Sequence, residues 1–368
     1  MTIESQVSQT PQEFRDFLDQ RGLVYDAQTQ VDILASALSA QFLLFAGPSG
    51  TGKSTAAKAL AEFLTPPSRQ GTIDARPAWT STEDIVGQFS IFSKDYVKGV
   101  ATNTLLALNV GSGSPALIVE EANLSAMEAY LGPVITTASA VAFESITWPL
   151  HTQPAGSQLT TPSEVVLSPW PRVFGTVNVD STAEAPAPKV SGRACVVLLE
   201  PPDVDTALAS TDAITSKPTT PTTPPGQRLF GDPRTAWAAY LVAQTTSRFT
   251  EALKPKLRIV ADSAGRGENL VSPRDVQRCV LYMCWHAPLA EAAVTGKLLG
   301  AANDIESAEN SLLHFVLPGL SSEQFGRTVE PLLTAATPGG LLARRLTKLA
   351  AGGESLFGVS PDFWSSLS

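Results

Sequence analysis

Gly47-Pro48-Ser49-Gly50-Thr51-Gly52-Lys53-Ser54 is an unbroken G-x-x-x-x-G-K-[ST] run, followed by Thr55. Glycines at such spacing let consecutive backbone N–H groups turn inward around a polyphosphate, and a helix beginning at Lys53 would add its positive N-terminal end. Lys53 supplies a point charge for the β- and γ-phosphates, and the Ser54 hydroxyl can ligate Mg²⁺. A second group must hold the metal and prepare a water molecule. Leu117-Ile118-Val119-Glu120-Glu121 ends an apolar run in two acids. The first, Glu120, is placed to bind Mg²⁺ through water, and the second, Glu121, to act as base. Phe174-Gly175-Thr176-Val177-Asn178 ends a further apolar run in an amide. Asn178 there can reach between the γ-phosphate and the attacking water.

These residues need strands that end side by side and a helix that starts at the loop. Gln41–Ala46, Pro115–Val119 and Arg172–Val177 are short apolar runs of the kind buried in parallel sheets. Thr55–Leu64 is alanine-rich and is expected to be helical up to Pro66 and Pro67. Residues 11–40 carry helical apolar spacing through Phe14, Phe17, Leu18, Val31, Leu34 and Leu38. Strands alternating with helices predict an α/β layer with a parallel sheet. Ile146–Trp148 and Glu164–Leu167 predict a hairpin inserted at about 145–171. Thr211–Gln227 is a Pro/Thr-rich linker. Helices are expected over Arg234–Leu253, Pro273–Trp285, Ala287–Leu299 and Glu306–Leu317. The expected organisation is an N-terminal helical segment (1–40), an α/β core (41–210), a linker (211–228) and a smaller helical lid (229–368).

Lys plus Arg number 26 against 35 Asp plus Glu, a net charge of −9, which disfavours non-specific nucleic-acid binding by this chain alone. The three cysteines, Cys195, Cys279 and Cys284, form no disulfide framework or zinc spacing and fit a reducing compartment. Without a basic-then-apolar leader or a run of about 18 apolar residues, the expectation is a cytoplasmic chain with no membrane contact. Cys279, Cys284 and His286 read as a packed helix face, not a metal site.

The motifs together resemble an AAA+ ATPase, and more narrowly the McrB-like branch that neighbours the MoxR ATPases. Pro77-Ala78-Trp79-Thr80 with Asp84-Ile85-Val86-Gly87 resembles that branch's P-x-W-T…D-L-L-G segment. Glu120-Glu121-Ala122-Asn123-Leu124 resembles its D-E-x-N-L, and Trp148-Pro149-Leu150-His151 its Y-P-L-H. Phe174–Asp180 resembles I-G-T-V-N-x-D, and Pro188–Ala194 resembles P-K-V-x-D-R-A. The match is dense from about 40 to 203, then thins to Ser272-Pro273-Arg274 and Leu312–Leu320. Glu120 stands where Asp is usual, and Gly192 where an acid is usual.

The resemblance implies an AAA+ P-loop NTPase fold: a three-layer αβα core with an inserted hairpin and a helical lid. It implies Mg²⁺-dependent hydrolysis of ATP or GTP in a ring, hexameric in the family, with ATP favoured on superfamily grounds although McrB itself uses GTP. Arg193 is the resemblance-based arginine acting across the subunit boundary. Arg274 is the counterpart of the lid's sensor arginine, with Arg278 one turn on as its substitute. A nuclease partner in prokaryotic restriction or phage defence is implied. About 40 residues precede the first strand, too few for a folded DNA reader, so DNA recognition is expected on that partner. Two alternatives stand beside this reading. One is a MoxR-like chaperone ATPase acting on a protein client. The other is a nucleotide-gated scaffold with little turnover, motivated by Glu120 and Gly192.

Overall fold

The computed structural model describes residues 3–138, 145–151, 159–179, 185–201, 224–229, 232–263, 271–295, 303–352 and 363–364. Most of the expected linker, residues 211–223, and the turn of the expected hairpin, residues 152–158, lie outside the described residues.

Five strands form one parallel sheet: β1 (Phe42–Gly47), β2 (Gln70–Asp74), β5 (Ala116–Glu120), β8 (Arg172–Asn178) and β9 (Cys195–Leu198). Its order is β2-β5-β8-β1-β9, so β1 lies between β8 and β9. β1 is buried at every position, as a central parallel strand covered on both faces must be. β2 was not expected from the sequence, because in Gln-Gly-Thr-Ile-Asp only Ile73 is buried. Two antiparallel hairpins stand apart from the sheet: β3 (Gly87–Ser90) with β4 (Asp95–Lys98), and β6 (Ile146–Pro149) with β7 (Glu164–Leu167). The second is the expected insert. Gly87 opens the first at φ +96°, and a Cβ there would stand 2.1 Å from the Val97 carbonyl oxygen, so no other residue fits. Asp84 accepts from the backbone N–H of Thr80 (2.7 Å) and Ser81 (2.9 Å) and fixes the turn just before it.

Helices α1 (Ile3–Asp19), α2 (Ala27–Ser39) and α3 (Lys53–Leu64) flank the sheet. Phe14 and Phe17 pack on Phe63 at centroid distances of 4.9 and 5.3 Å, which fastens α1 to α3. Short helices α4 (Glu83–Val86), α5 (Thr102–Leu108), α6 (Met127–Tyr130), α7 (Gly132–Thr137) and α8 (Pro188–Ser191) complete the core. The helical region comprises α9 (Asp232–Ser263), α10 (Pro273–Thr295), α11 (Asp304–Phe315), α12 (Ser322–Ala335) and α13 (Leu341–Gly352). The architecture is thus the αβα P-loop fold with an inserted hairpin and a helical C-terminal region. Among the described residues, no helix is long and apolar enough to cross a membrane.

α10 corrects one expectation. Helices expected on either side of His286 are one helix running through Pro288 as far as Thr295. Met283, Cys284, Trp285, Ala287 and Leu289 are all buried. Packing along α2 and α1 therefore carries the helix across the hydrogen bond that Pro288 cannot donate. Ser272 and Asp275 exchange bonds (Ser272 N to Asp275 Oδ2 3.0 Å, Asp275 N to Ser272 Oγ 3.3 Å) and cap its start.

A buried polar network joins three parts of the fold. Asp32 of α2 accepts from the Tyr282 hydroxyl of α10 and from His314 Nε2 of α11 (2.7 Å). His314 Nδ1 faces the Val196 carbonyl of β9 at 2.5 Å, so both ring nitrogens meet acceptors and the imidazolium form is held. Burial alone would lower the His314 pKa, but Asp32 and the Val196 carbonyl outweigh it and raise it above the ordinary 6.5. Burial alone would raise Asp32, but His314, His286 and Tyr282 bring it below the ordinary 3.8. His286, stacked on Tyr282, is pushed down to about 4 by burial and is neutral at pH 7.

The raised histidine contributes stability that is complete below its ordinary pKa and lost as pH climbs through its folded value. The lowered carboxylate contributes stability that is complete above its ordinary pKa and lost as pH falls through its folded value. Their joint contribution is therefore complete between about pH 4 and 6.5. His314→Gln should destabilise the protein by about 3–5 kcal/mol at pH 6, the scale for breaking a buried ion pair. It should also remove the decline in Tm expected of the parent as the pH rises above about 6.5. Parallel Tm profiles for the two proteins would show that the pair is not charged.

Candidate active site

The parallel register brings three expected residues to one edge. Gly47 is the register partner of Asn178, and β5 lies on the other side of β8 with Val119 opposite Gly175. Gly47, Glu120 and Asn178 thus mark the carboxyl ends of three adjacent strands, where open α/β sheets bind their ligands. Gly47 is demanded by close approach, since a Cβ there would lie 2.2 Å from the Leu199 carbonyl oxygen. Gly52, at φ +81°, turns the loop into α3.

Lys53 is buried, and its Nζ donates to the carbonyls of Gly47 (3.0 Å) and Pro48 (2.6 Å), which holds the ammonium inside the loop. The Ser54 hydroxyl donates to Glu120 Oε2. Thr176 Oγ1 donates to the same oxygen at 3.1 Å and accepts from the Glu121 N–H at 2.9 Å. Lys58, one turn beyond Ser54, places its Nζ 2.9 Å from Glu120 Oε1. Burial works to raise the Glu120 pKa, but Ser54, Lys58 and Thr176 together bring it below the ordinary value, so it is a carboxylate at neutral pH. Two hydroxyls and a carboxylate converging here form the hard-oxygen donor set that suits Mg²⁺.

Glu121 follows with φ +52°, a left-handed conformation uncommon outside glycine and costly enough to mark functional turns. This twist separates two successive acids. Glu120 meets Ser54 and Lys58, whereas Glu121 is exposed. Asn123 then ties β5 to β8: its Nδ2 donates to the Asn178 carbonyl (2.8 Å), and its Oδ1 accepts from the Asn178 N–H (3.2 Å). These bonds use the Asn178 backbone and not its side-chain amide.

A cavity of about 490 Å³ adjoins the loop. Gly50, Thr51 and Gly52 form one wall, Leu23 and Tyr25 a second, Leu199–Pro201 a third, and α13 closes it with Arg344, Arg345 and Lys348. Glu200, at the end of β9, pairs with Arg345 and with Lys348 (2.7 Å) and so clamps α13 to the core. These three cations were not anticipated. They lie about 150 residues beyond the core motifs, and no local pattern connects them to the loop.

Arg193 and Arg274 do not line this cavity. Burial and then the Arg274 charge lower the Arg193 pKa. Arg193 Nη1 donates to the Lys189 carbonyl at 2.7 Å. Arg278 is buried and donates to the carbonyls of Gly192 (3.0 Å), Arg193 (2.7 Å) and Ala194 (2.7 Å). It anchors the segment that carries Arg193. Arg69 and Arg172 are also buried against backbone carbonyls. Among the described residues, no group of three or more His, Cys, Asp or Glu side chains is arranged to hold a metal, and His286 bonds Ser307 (2.8 Å).

No family model matches the chain, and no curated protein matches it. Among solved structures, the chain is similar to a "putative ATPase" from Cytophaga hutchinsonii ATCC 33406. The two are 12% identical, with 86% of this chain and 88% of that one covered, at a TM-score of 0.47. At that distance no residue of this chain takes a role from its counterpart there.

Proposed function

We propose that the chain is a Mg²⁺-dependent nucleoside triphosphatase, a ring-forming AAA+ motor subunit of McrB-like type that works with a nuclease partner in restriction or phage defence. The observation that carries the hydrolase reading is the meeting of Ser54, Glu120 and Thr176 at the edge shared with Gly47 and Asn178. The loop N–H groups and Lys53 bind the β- and γ-phosphates. Ser54 and Glu120 would hold Mg²⁺, which when bound neutralises phosphate charge. Glu121 accepts a proton as a water oxygen bonds to the γ-phosphorus and the bond from that phosphorus to the β–γ bridging oxygen breaks. Asn178 orients that water, Arg193 serves the site of a neighbouring subunit, and Arg274 reaches the γ-phosphate of its own subunit.

A second reading, remodelling of a protein client in the MoxR manner, is favoured by the β3–β4 hairpin. Its tip leaves Ile91 81% and Phe92 fully exposed. ATP and GTP should each be tested for turnover and for assembly in sedimentation velocity. Nucleotide-driven assembly with turnover supports the motor. Tight binding with assembly but no turnover would replace it with a scaffold.

A further inference from the structure

Lys58 lies one helical turn beyond Ser54 on α3, so both side chains face the end of β5. The Glu120 carboxylate is divided between them: Oε1 is paired with the Lys58 ammonium at 2.9 Å, and Oε2 takes the hydroxyls of Ser54 and Thr176. The acid best placed to hold a divalent metal therefore already carries a full counter-charge from the protein. Its side chain is one methylene longer than aspartate, and that reach lets it span α3 from Ser54 to Lys58. Glu120 is nearly buried (12% exposed), whereas Lys58 is 52% exposed, so the lysine is free to withdraw into water while the carboxylate stays in place.

We propose that Lys58 is a positioning residue that shares Glu120 with the divalent metal as an exchangeable counter-cation. The inference rests on the nucleotide-site reading above. A dication and an ammonium against one carboxylate repel each other within a few ångströms, too close for salt to screen. Lys58 must therefore raise the Mg²⁺ concentration the site needs. The same ammonium neutralises Glu120 when no metal is present, so a polyphosphate approaching the loop does not face a bare carboxylate. Removing Lys58 should then act in opposite directions with and without metal, which loss of a merely structural contact would not do.

The test measures binding of fluorescent ATP and GTP derivatives to the full chain in EDTA and across a Mg²⁺ titration. Lys58→Gln should lower the half-saturating Mg²⁺ concentration about tenfold and weaken binding in EDTA, the scale of one nearby unit charge. Lys58→Arg should stay near the parent. In a Glu120→Gln background, Lys58→Gln should shift the Mg²⁺ midpoint less than it does in the parent, because the carboxylate that holds the ammonium beside the metal is gone. A midpoint indifferent to Lys58, or changes of the same direction in EDTA and in Mg²⁺, would overturn the proposal while leaving the nucleotide site standing. A parent chain that binds neither nucleotide would overturn both. Thermal melts of each variant confirm that the folded protein is being compared.

Discussion

Lys53→Ala is expected to weaken nucleotide binding by about 10²- to 10⁴-fold, the equivalent of two hydrogen bonds to charged groups at about 1.5–3 kcal/mol each. The ammonium is held within the loop by the Gly47 and Pro48 carbonyls, at the edge where β1, β5 and β8 end together. No other described lysine stands at those loop carbonyls, and Lys58 lies one turn further along α3, paired with Glu120. The alanine variant should therefore lose affinity for triphosphate and diphosphate alike, while its fold survives. Titration with a fluorescent nucleotide checks this, and parent-like affinity would remove the loop from the binding site.

Arg193→Ala should leave nucleotide binding nearly intact and cut hydrolysis by about 10³-fold or more, the scale of arginines that complete a phosphoryl-transfer site from outside. The structure favours a clean experiment, because Arg278 holds the Gly192, Arg193 and Ala194 carbonyls and keeps the segment in place when the Arg193 side chain is removed. Turnover per subunit should rise with protein concentration. Mixing Arg193→Ala with Glu121→Gln should restore part of the activity, since some interfaces in a mixed ring then have both groups intact. Concentration-independent turnover and no rescue would contradict action across a subunit boundary.

Where chemistry and strand end coincide in a contiguous motif, the residues announce themselves. Lys53 follows its glycines directly, and Glu120 and Asn178 each close an apolar run, so their places at the sheet edge follow from parallel register. What stayed hidden depends on distance in the chain or on weak patterning. Thr176 reads as a strand residue, and only the β5–β8 register reveals that its hydroxyl bridges Glu121 N–H and the Glu120 carboxylate. Lys58 looks like one more solvated helix position until Glu120 is placed opposite it. Arg344, Arg345 and Lys348 reach the cavity only because α13 packs back on the core through Glu200. β9 escaped notice because four apolar residues after a proline-rich stretch carry no alternation, and β2 because an edge strand buries so little. Asp32, buried beside two histidines and a tyrosine, stands between Val31 and Ile33 in a helix whose sequence gives no sign of partners some 250–280 positions away.

The most direct test of the central claim is steady-state phosphate release from ATP and GTP with Mg²⁺ by the parent chain, set beside Glu121→Gln at matched nucleotide saturation. The amide cannot accept the proton of the attacking water, yet it keeps the shape and the exposed position of Glu121. Turnover by the parent that is lost in Glu121→Gln, with nucleotide binding retained, is the predicted result. Equal phosphate release by the two proteins would contradict it.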